Sequence, residues 1–186
     1  SNHHEATAMH TTSGHLDYFE NIAKNRIKYR KARSYYWNDI SKYCGYFIHE
    51  GDSVLEVGCG TCELLGAITA KRKVGIDFSP VMISEAQKQF PAIEFLMMNA
   101  EDIRLPPGPQ MGESPLYEKF DVIILSNLVG LLDDVQSVFR GLTRVCHPGT
   151  HIIITYYHYL WEPFIRFAEL IGIKKHTPPQ NWLMQD

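Results

Sequence analysis

The stretch Ser53-Val54-Leu55-Glu56-Val57-Gly58-Cys59-Gly60-Thr61-Cys62-Glu63-Leu64-Leu65 constrains this chain more than any other. An apolar run of β type meets two glycines and then opens a helical pattern, with Leu64, Leu65 and Ile68 on one face. A glycine turn between strand and helix lets a ligand approach bare backbone beside a helix N-terminus. About twenty residues on, Val74-Gly75-Ile76-Asp77 reads as a second strand ending in an acid, and an acid so placed can take the two hydroxyls of a ribose. The pattern predicts a site for a nucleoside-containing cofactor at the carboxyl ends of parallel strands.

A dinucleotide fingerprint wants Gly-x-Gly-x-x-Gly. Gly58 and Gly60 fit, but Glu63 stands in the last position and obstructs close helix–strand packing. A second acid, Glu56, lies two residues before the first glycine. A carboxylate there suits a cationic ligand better than a pyrophosphate. S-adenosylmethionine carries a ribose, an ammonium and a sulfonium, and no phosphate.

Glu56-x-Gly58-x-Gly60, followed by Asp77-Phe78-Ser79-Pro80-x-Met82, resembles class I S-adenosylmethionine-dependent methyltransferases of the ubiquinone/menaquinone-biosynthesis-like type. Asn99-Ala100-Glu101-Asp102-x-x-Leu105-Pro106 and Phe120-Asp121-Val122-Ile123-Ile124-Leu125-Ser126-Asn127 are similar to that family's next two motifs, in order. The resemblance covers roughly residues 50–160. Tyr35-Tyr36, Cys146-His147-Pro148, Tyr156-Tyr157 and Pro179-Gln180-Asn181-Trp182-Leu183 are similar to a bacterial subgroup often found beside glycosyltransferases. Two positions depart from the family: Cys62 replaces its third glycine and Asn99 its usual aspartate.

The resemblance implies a role for each motif residue. Backbone around Gly58, Cys59 and Gly60 passes the methionine part of the cofactor. Glu56 acts on its ammonium side, or else caps the turn. Asp77 takes the ribose, or else caps the following helix. Phe78 and Met82 flank adenine, with core filling the alternative for Met82. Asn99 and the backbone of Ala100 and Glu101 read the adenine edge. Ser126 and Asn127 border the methyl-transfer channel. If the acceptor atom is oxygen or nitrogen, a general base is needed; His158 and Tyr156 are the candidates, with surface or packed aromatics the alternative.

The rest of the chain fits an α/β fold, a Rossmann-like parallel sheet flanked by helices. Residues 1–15 hold His3, His4, His10 and His15 among small polar residues and read as a disordered, tag-like start. Residues 16–186 read as one domain, with a helical lid over 16–50 and the cofactor core over 51–160. Tyr36, Ile40, Tyr43 and Phe47 fall at helical spacing, and Tyr18, Tyr35 and Tyr36 are lid candidates. Strands are expected at about 53–57, 73–77, 92–97, 122–125 and 151–155. Helices are expected at about 61–70, from Pro80 to Phe90, and from Asp133 or Asp134 to Val145, stopped by Pro148-Gly149. A last helix carries Phe164, Phe167, Ala168 and Ile171. Residues 103–119 read as a long loop. The family's antiparallel strand pair is missing after that helix, so the chain is expected to be truncated beyond Asp186.

Composition excludes several classes. A net charge of −3 gives no electrostatic case for a nucleic-acid partner. No apolar run approaches the roughly 20 residues of a membrane helix, and no signal peptide is visible, so a cytoplasmic protein is expected. Four cysteines are too few for a disulfide scaffold. Cys59-x-x-Cys62 has no second Cys/His pair to complete a zinc site, and the pair is read as small turn residues. No metal is expected. The function expected is S-adenosylmethionine-dependent methyl transfer to a small-molecule, sugar or lipid-linked acceptor. The alternatives are a nicotinamide-dependent oxidoreductase and a non-catalytic methyltransferase-like binding module.

Overall fold

A computed structural model describes residues 30–105, 119–129 and 132–155. In chain order these form α1 (Arg30–Cys44), β1 (Ser53–Val57), α2 (Glu63–Ala67), β2 (Arg72–Asp77), α3 (Pro80–Gln89), β3 (Glu94–Met97), a 3-10 turn (Ala100–Asp102), β4 (Phe120–Ser126), α4 (Val135–Leu142) and β5 (Cys146–Thr155). The five strands make one sheet in the order β3-β2-β1-β4-β5, every neighbouring pair parallel. The chain runs outward from β1 through β2 to β3, then returns to the other side of β1 with β4. Such a reversal leaves a crevice beyond the carboxyl ends of the two central strands.

Alternation along β1 divides the core. Leu55 and Val57 join Val74, Ile76, Ile123 and Leu125 under α4, where Val138 and Leu142 close the layer. Val54 faces the opposite side with Val122 and Ile124, beneath Trp37 and Cys44 of α1, Leu64 and Leu65 of α2 and Ala86 of α3. Burial on both faces is why β1 and β4 read as largely apolar runs, interrupted in β1 by the buried Glu56.

Local signals set the helix starts. Ser79 accepts the amide of Met82 with Pro80 at the first helical position. Asp134 accepts from Ser137 and opens α4. The bounds of several elements differ from the sequence reading. α2 is shorter than expected. α4 ends at Leu142 rather than Val145. β5 begins at Cys146, because Pro148 and Gly149 sit in an irregular register between Phe120 and Val122 instead of ending pairing; β5 is the outermost strand among the described residues, a position that tolerates proline and a bulge. α1 falls within residues 16–50, the span expected for the lid. Residues 1–29, 106–118, 130–131 and everything from Tyr156 onward lie outside the described residues, with most of the expected 103–119 loop, the expected last helix and both candidate bases.

Candidate functional site

β1 ends in a tight loop that its glycines make possible. Gly58 and Gly60 have φ of 74° and 54°, and Cys62 is also left-handed at 67°. The first two positions suit glycine. At Cys62 a small non-glycine residue occupies a conformation that ordinarily costs about 1–2 kcal/mol, sustained by complete burial and by the hydrogen bond its N–H donates to the Cys59 carbonyl at 2.8 Å.

The loop's backbone donors are spent inside the fold. The amides of Gly58 and Cys59 both donate to the Ile76 carbonyl, at 2.8 and 3.0 Å. The Gly60 amide donates to Asp77 Oδ2 at 2.8 Å. A phosphate-binding loop needs such amides turned toward the ligand, and here β2 already holds them. Glu63 heads α2, its carboxylate accepting from the Thr61 hydroxyl at 2.6 Å, so negative charge stands where a pyrophosphate would sit. The loop disfavours a phosphate and suits a ligand that is cationic and phosphate-free.

Asp77 ends β2 and is 8% exposed. Its Oδ1 accepts from the Ser79 amide at 2.9 Å while Oδ2 holds Gly60. Glu56, 2% exposed, lies on the α1 side of the same sheet. Its charge reaches two thiols. Burial first, then Glu56, pushes Cys44 up to about 11. Cys59 is held well above an ordinary thiol by its hydrogen bond with Cys62, by burial, and by the charges of Glu56, Cys62 and Asp77.

The other candidates extend along neighbouring strand tips. The Met98 amide donates to the Asp77 carbonyl at 2.9 Å, bringing Asn99 beside β2. Asn99 Oδ1 accepts from the Glu101 amide and caps the 3-10 turn that holds Ala100. The Glu101 carboxylate turns away, accepting from the amides of Asp133 and Asp134 at 2.7 and 2.9 Å. Phe78 is half-buried, whereas Met82 is buried on the inward side of α3, as its core-filling alternative requires. Ser126 accepts from the Thr155 hydroxyl at 3.3 Å. Asn127, at φ 53°, gives its amide to the Thr155 carbonyl. Its side-chain nitrogen donates to the Tyr36 hydroxyl at 3.0 Å, so α1 meets the tip of β4. Leu128 then closes on the glycine loop: a Cβ on Gly58 would lie 3.0 Å from its Cδ1.

Asn99, Asp77, the 58–60 loop and Asn127 therefore line one rim of the sheet. Glu101's carboxylate is turned to Asp133 and Asp134 instead, and Met82 is buried. Gly75 was missed in the sequence. A Cβ there would come within 2.9 Å of Cys59 Sγ and 3.1 Å of the Phe95 ring, so β2 must be bare for the loop to lie against it. A glycine inside a strand was the available signal. Among the described residues no group of three or more His, Cys, Asp or Glu side chains could hold a metal ion, and no helix is long and apolar enough to cross a membrane.

The methyltransferase domain family matches residues 55–152. Among solved structures, the chain is similar to a SAM-dependent methyltransferase from Thermotoga maritima, with TM-score 0.67 and 15% identity over 90% of this chain and 73% of that one. A chain in the Haloferax volcanii complex between the Trm112 methyltransferase activator and a candidate methyltransferase gives 0.66 and 17%, over 88% and 69%. A candidate S-adenosyl-L-methionine-dependent methyltransferase from Methanococcus maripaludis gives 0.60 and 19%, over 81% and 71%. At these identities the likeness concerns the fold. No curated protein matches significantly.

Proposed function

This chain belongs to the methyltransferase domain family, and from that premise we propose that it transfers the methyl group of S-adenosylmethionine to a small-molecule, sugar or lipid-linked acceptor. The observation that carries the reading is the joint use of Asp77 and the glycine loop. An acid at the tip of β2 suits a ribose, while the amides of Gly58, Cys59 and Gly60 are withheld from any phosphate. S-adenosylmethionine is the nucleoside cofactor that needs the first and not the second.

When bound, the cofactor supplies a methyl group already activated on a sulfonium. The protein's work is to position and to exclude water. Asp77, at the tip of β2, meets the ribose hydroxyls. Glu56 lends negative charge beneath the turn, on the ammonium side. Phe78 flanks the base, and Asn99 with the backbone of Ala100 and Glu101 borders it. Ser126 and Asn127 edge the methyl channel, with Tyr36 of α1 across it. His158 and Tyr156 are proposed as bases should the acceptor be a hydroxyl or amine. The subgroup similarity favours a ubiquinone/menaquinone-type or glycosyltransferase-associated bacterial enzyme of the cytoplasm, organised as one domain over 16–186 with its lid over 16–50.

Titration calorimetry with S-adenosylmethionine and S-adenosylhomocysteine tests the cofactor, alongside fluorescence titration with NADH. Saturable binding of the adenosyl compounds and none of NADH is expected. Tight NADH binding, or failure of both adenosyl ligands on folded protein, would reverse the assignment.

A further inference from the structure

The thiols of Cys59 and Cys62 have no part in the proposed reaction, yet the fold brings them together. The Cys62 amide donates to the Cys59 carbonyl at 2.8 Å and closes a four-residue turn. Such a turn keeps its end Cα atoms within about 7 Å, and a disulfide spans about 4.4–6.8 Å. The two side chains are already hydrogen-bonded to each other. Cys62 holds φ 67°, where glycine would be unstrained. Strained positions persist where something uses them; at Cys62 the group held there is a thiol against a second thiol.

We propose that Cys59 and Cys62 form a reversible disulfide that weakens cofactor binding at the glycine loop. The oxidant is a small-molecule disulfide. One cysteine attacks as its thiolate, the S–S bond of the reagent breaks, and the departing sulfur takes up the proton. The second cysteine then displaces the reagent sulfur left on the first. Two protons and two electrons pass from the protein to the reagent, which leaves as two thiols. Cys59, 5% exposed against 0% for Cys62, is the sulfur a reagent reaches first. The effect on the loop follows from what that sulfur holds. The Cys59 thiol donates to the Gly60 carbonyl at 3.8 Å. Its Sγ is seated on β2, 2.9 Å from where a Cβ on Gly75 would stand. An S–S bond of about 2.05 Å removes the donor and draws Sγ from that seat. Gly60 lies between the two cysteines and gives its amide to Asp77, so the strain falls on the contact that joins the loop to β2. The coupling to the cofactor rests on the proposal that an adenosyl ligand meets this loop and Asp77. It is reciprocal: a ligand that prefers the dithiol loop opposes oxidation by the same factor.

The test equilibrates the whole chain in graded mixtures of oxidised and reduced glutathione, with and without S-adenosylhomocysteine. Burial slows thiol exchange, so equilibrium is read and not rate. Mass spectrometry maps the disulfides, and calorimetry gives the Kd of each form. A Cys59–Cys62 bond is expected, with a Kd about tenfold higher in the oxidised form, the size of one lost hydrogen bond. Saturating S-adenosylhomocysteine should shift the oxidation midpoint by the same factor. Cys62→Gly suits the left-handed position and lacks the second thiol; it should bind alike in both buffers. No Cys59–Cys62 bond in oxidised glutathione, an unchanged Kd once the bond has formed, or an oxidised form whose thermal melt shows global unfolding overturns this inference alone. So does an equal loss of affinity in oxidised Cys62→Gly, which would place the effect at Cys44 or Cys146. Reduced, folded protein that binds no S-adenosylhomocysteine overturns it together with the cofactor assignment.

Discussion

The Gly60 amide donates to Asp77 across 2.8 Å, so the loop after β1 is held by the acid that ends β2. The other oxygen of that carboxylate receives the Ser79 amide at 2.9 Å and sets the start of α3. Because both oxygens accept from backbone donors, asparagine cannot replace aspartate: its NH2 would confront one of them. Asp77→Asn should lose about 1–3 kcal/mol of stability and at least about tenfold in affinity for S-adenosylhomocysteine, since one pKa-unit-sized interaction of about 1.4 kcal/mol is already that factor. Thermal unfolding and calorimetry check the two effects. Wild-type melting in this variant would show that the paired contacts do not carry the loop.

Gly75 lies beneath the same loop. Alanine in a strand is ordinarily better than glycine by about 0.5–1 kcal/mol. At this position the added methyl meets Cys59 Sγ and the Phe95 ring at 2.9 and 3.1 Å. Gly75→Ala should therefore destabilise by about 1–3 kcal/mol through overpacking and weaken cofactor binding by displacing the loop. Adding Cys59→Ala should recover part of both losses. A neutral Gly75→Ala, measured by chemical denaturation, would mean that the loop accommodates the methyl.

The parallel sheet was legible because β1 and β4 are largely apolar, Glu56 apart, and glycines, prolines and Ser79 punctuate the helices between. The rim was legible because Gly58, Gly60 and Asp77 carry chemistry that spacing alone reveals. Sequence could not say where donors go. That Gly58, Cys59 and Gly60 spend their amides on β2 depends on the register Val57↔Ile76. Likewise Glu101 turns its carboxylate to Asp133 and Asp134, a long-range contact with no local signature. The extension of β5 back to Cys146 was hidden by Pro148-Gly149, which read as a stop because a bulge at a sheet edge has no reliable pattern of its own.

Tyr36 joins α1 to the tip of β4 through the side chain of Asn127, whose nitrogen donates at 3.0 Å. Tyr36 also packs edge-on against Trp37, with ring centroids 4.9 Å apart. Tyr36→Phe removes the hydroxyl and keeps the ring contact. The expected loss is about 0.5–1.5 kcal/mol, felt in α1 rather than in the sheet. Hydrogen exchange should quicken in Tyr36-proximal amides of α1, with β1 and β4 unchanged. Uniform exchange through α1 and the sheet in both proteins would show that this bond does not dock the helix.

The thiols offer an independent measure of the site's charge. Cys44 is pushed up to about 11 by burial and by Glu56, and Cys59 lies higher than an ordinary thiol chiefly through its hydrogen bond with Cys62. Burial raises Cys146 as well, but it is only half-buried. Since the thiolate is the reactive form, iodoacetamide at pH 8 should label Cys146 first in the folded protein and the other three only on unfolding. Mass spectrometry identifies the order. Rapid native labelling of Cys59 would contradict the buried, acid-flanked setting described here.

At the opposite end of the sheet, Asp121 gathers three donors. Its Oδ2 accepts from the amide and hydroxyl of Ser53 at 2.7 and 2.8 Å, and its Oδ1 meets His147 Nε2 at 3.1 Å. The Gly149 amide donates to His147 Nδ1 at 3.1 Å, so the neutral ring carries its proton on Nε2 and gives it to Asp121. These bonds, the Ser53 amide foremost, hold the Asp121 carboxyl below its ordinary value of 3.8. A carboxyl whose folded pKa is depressed adds stability above its unfolded pKa, and that stability is lost as pH falls through the folded value. Because the side chain is 44% exposed, solvent screening limits the contribution to about 0.5–1 kcal/mol. Asp121→Asn should melt earlier than wild type at pH 7, and the gap should narrow below about pH 4 as the wild-type carboxyl protonates. A gap that stays constant from pH 7 to pH 3 would assign the loss to the Ser53 and His147 geometry and none of it to the charge.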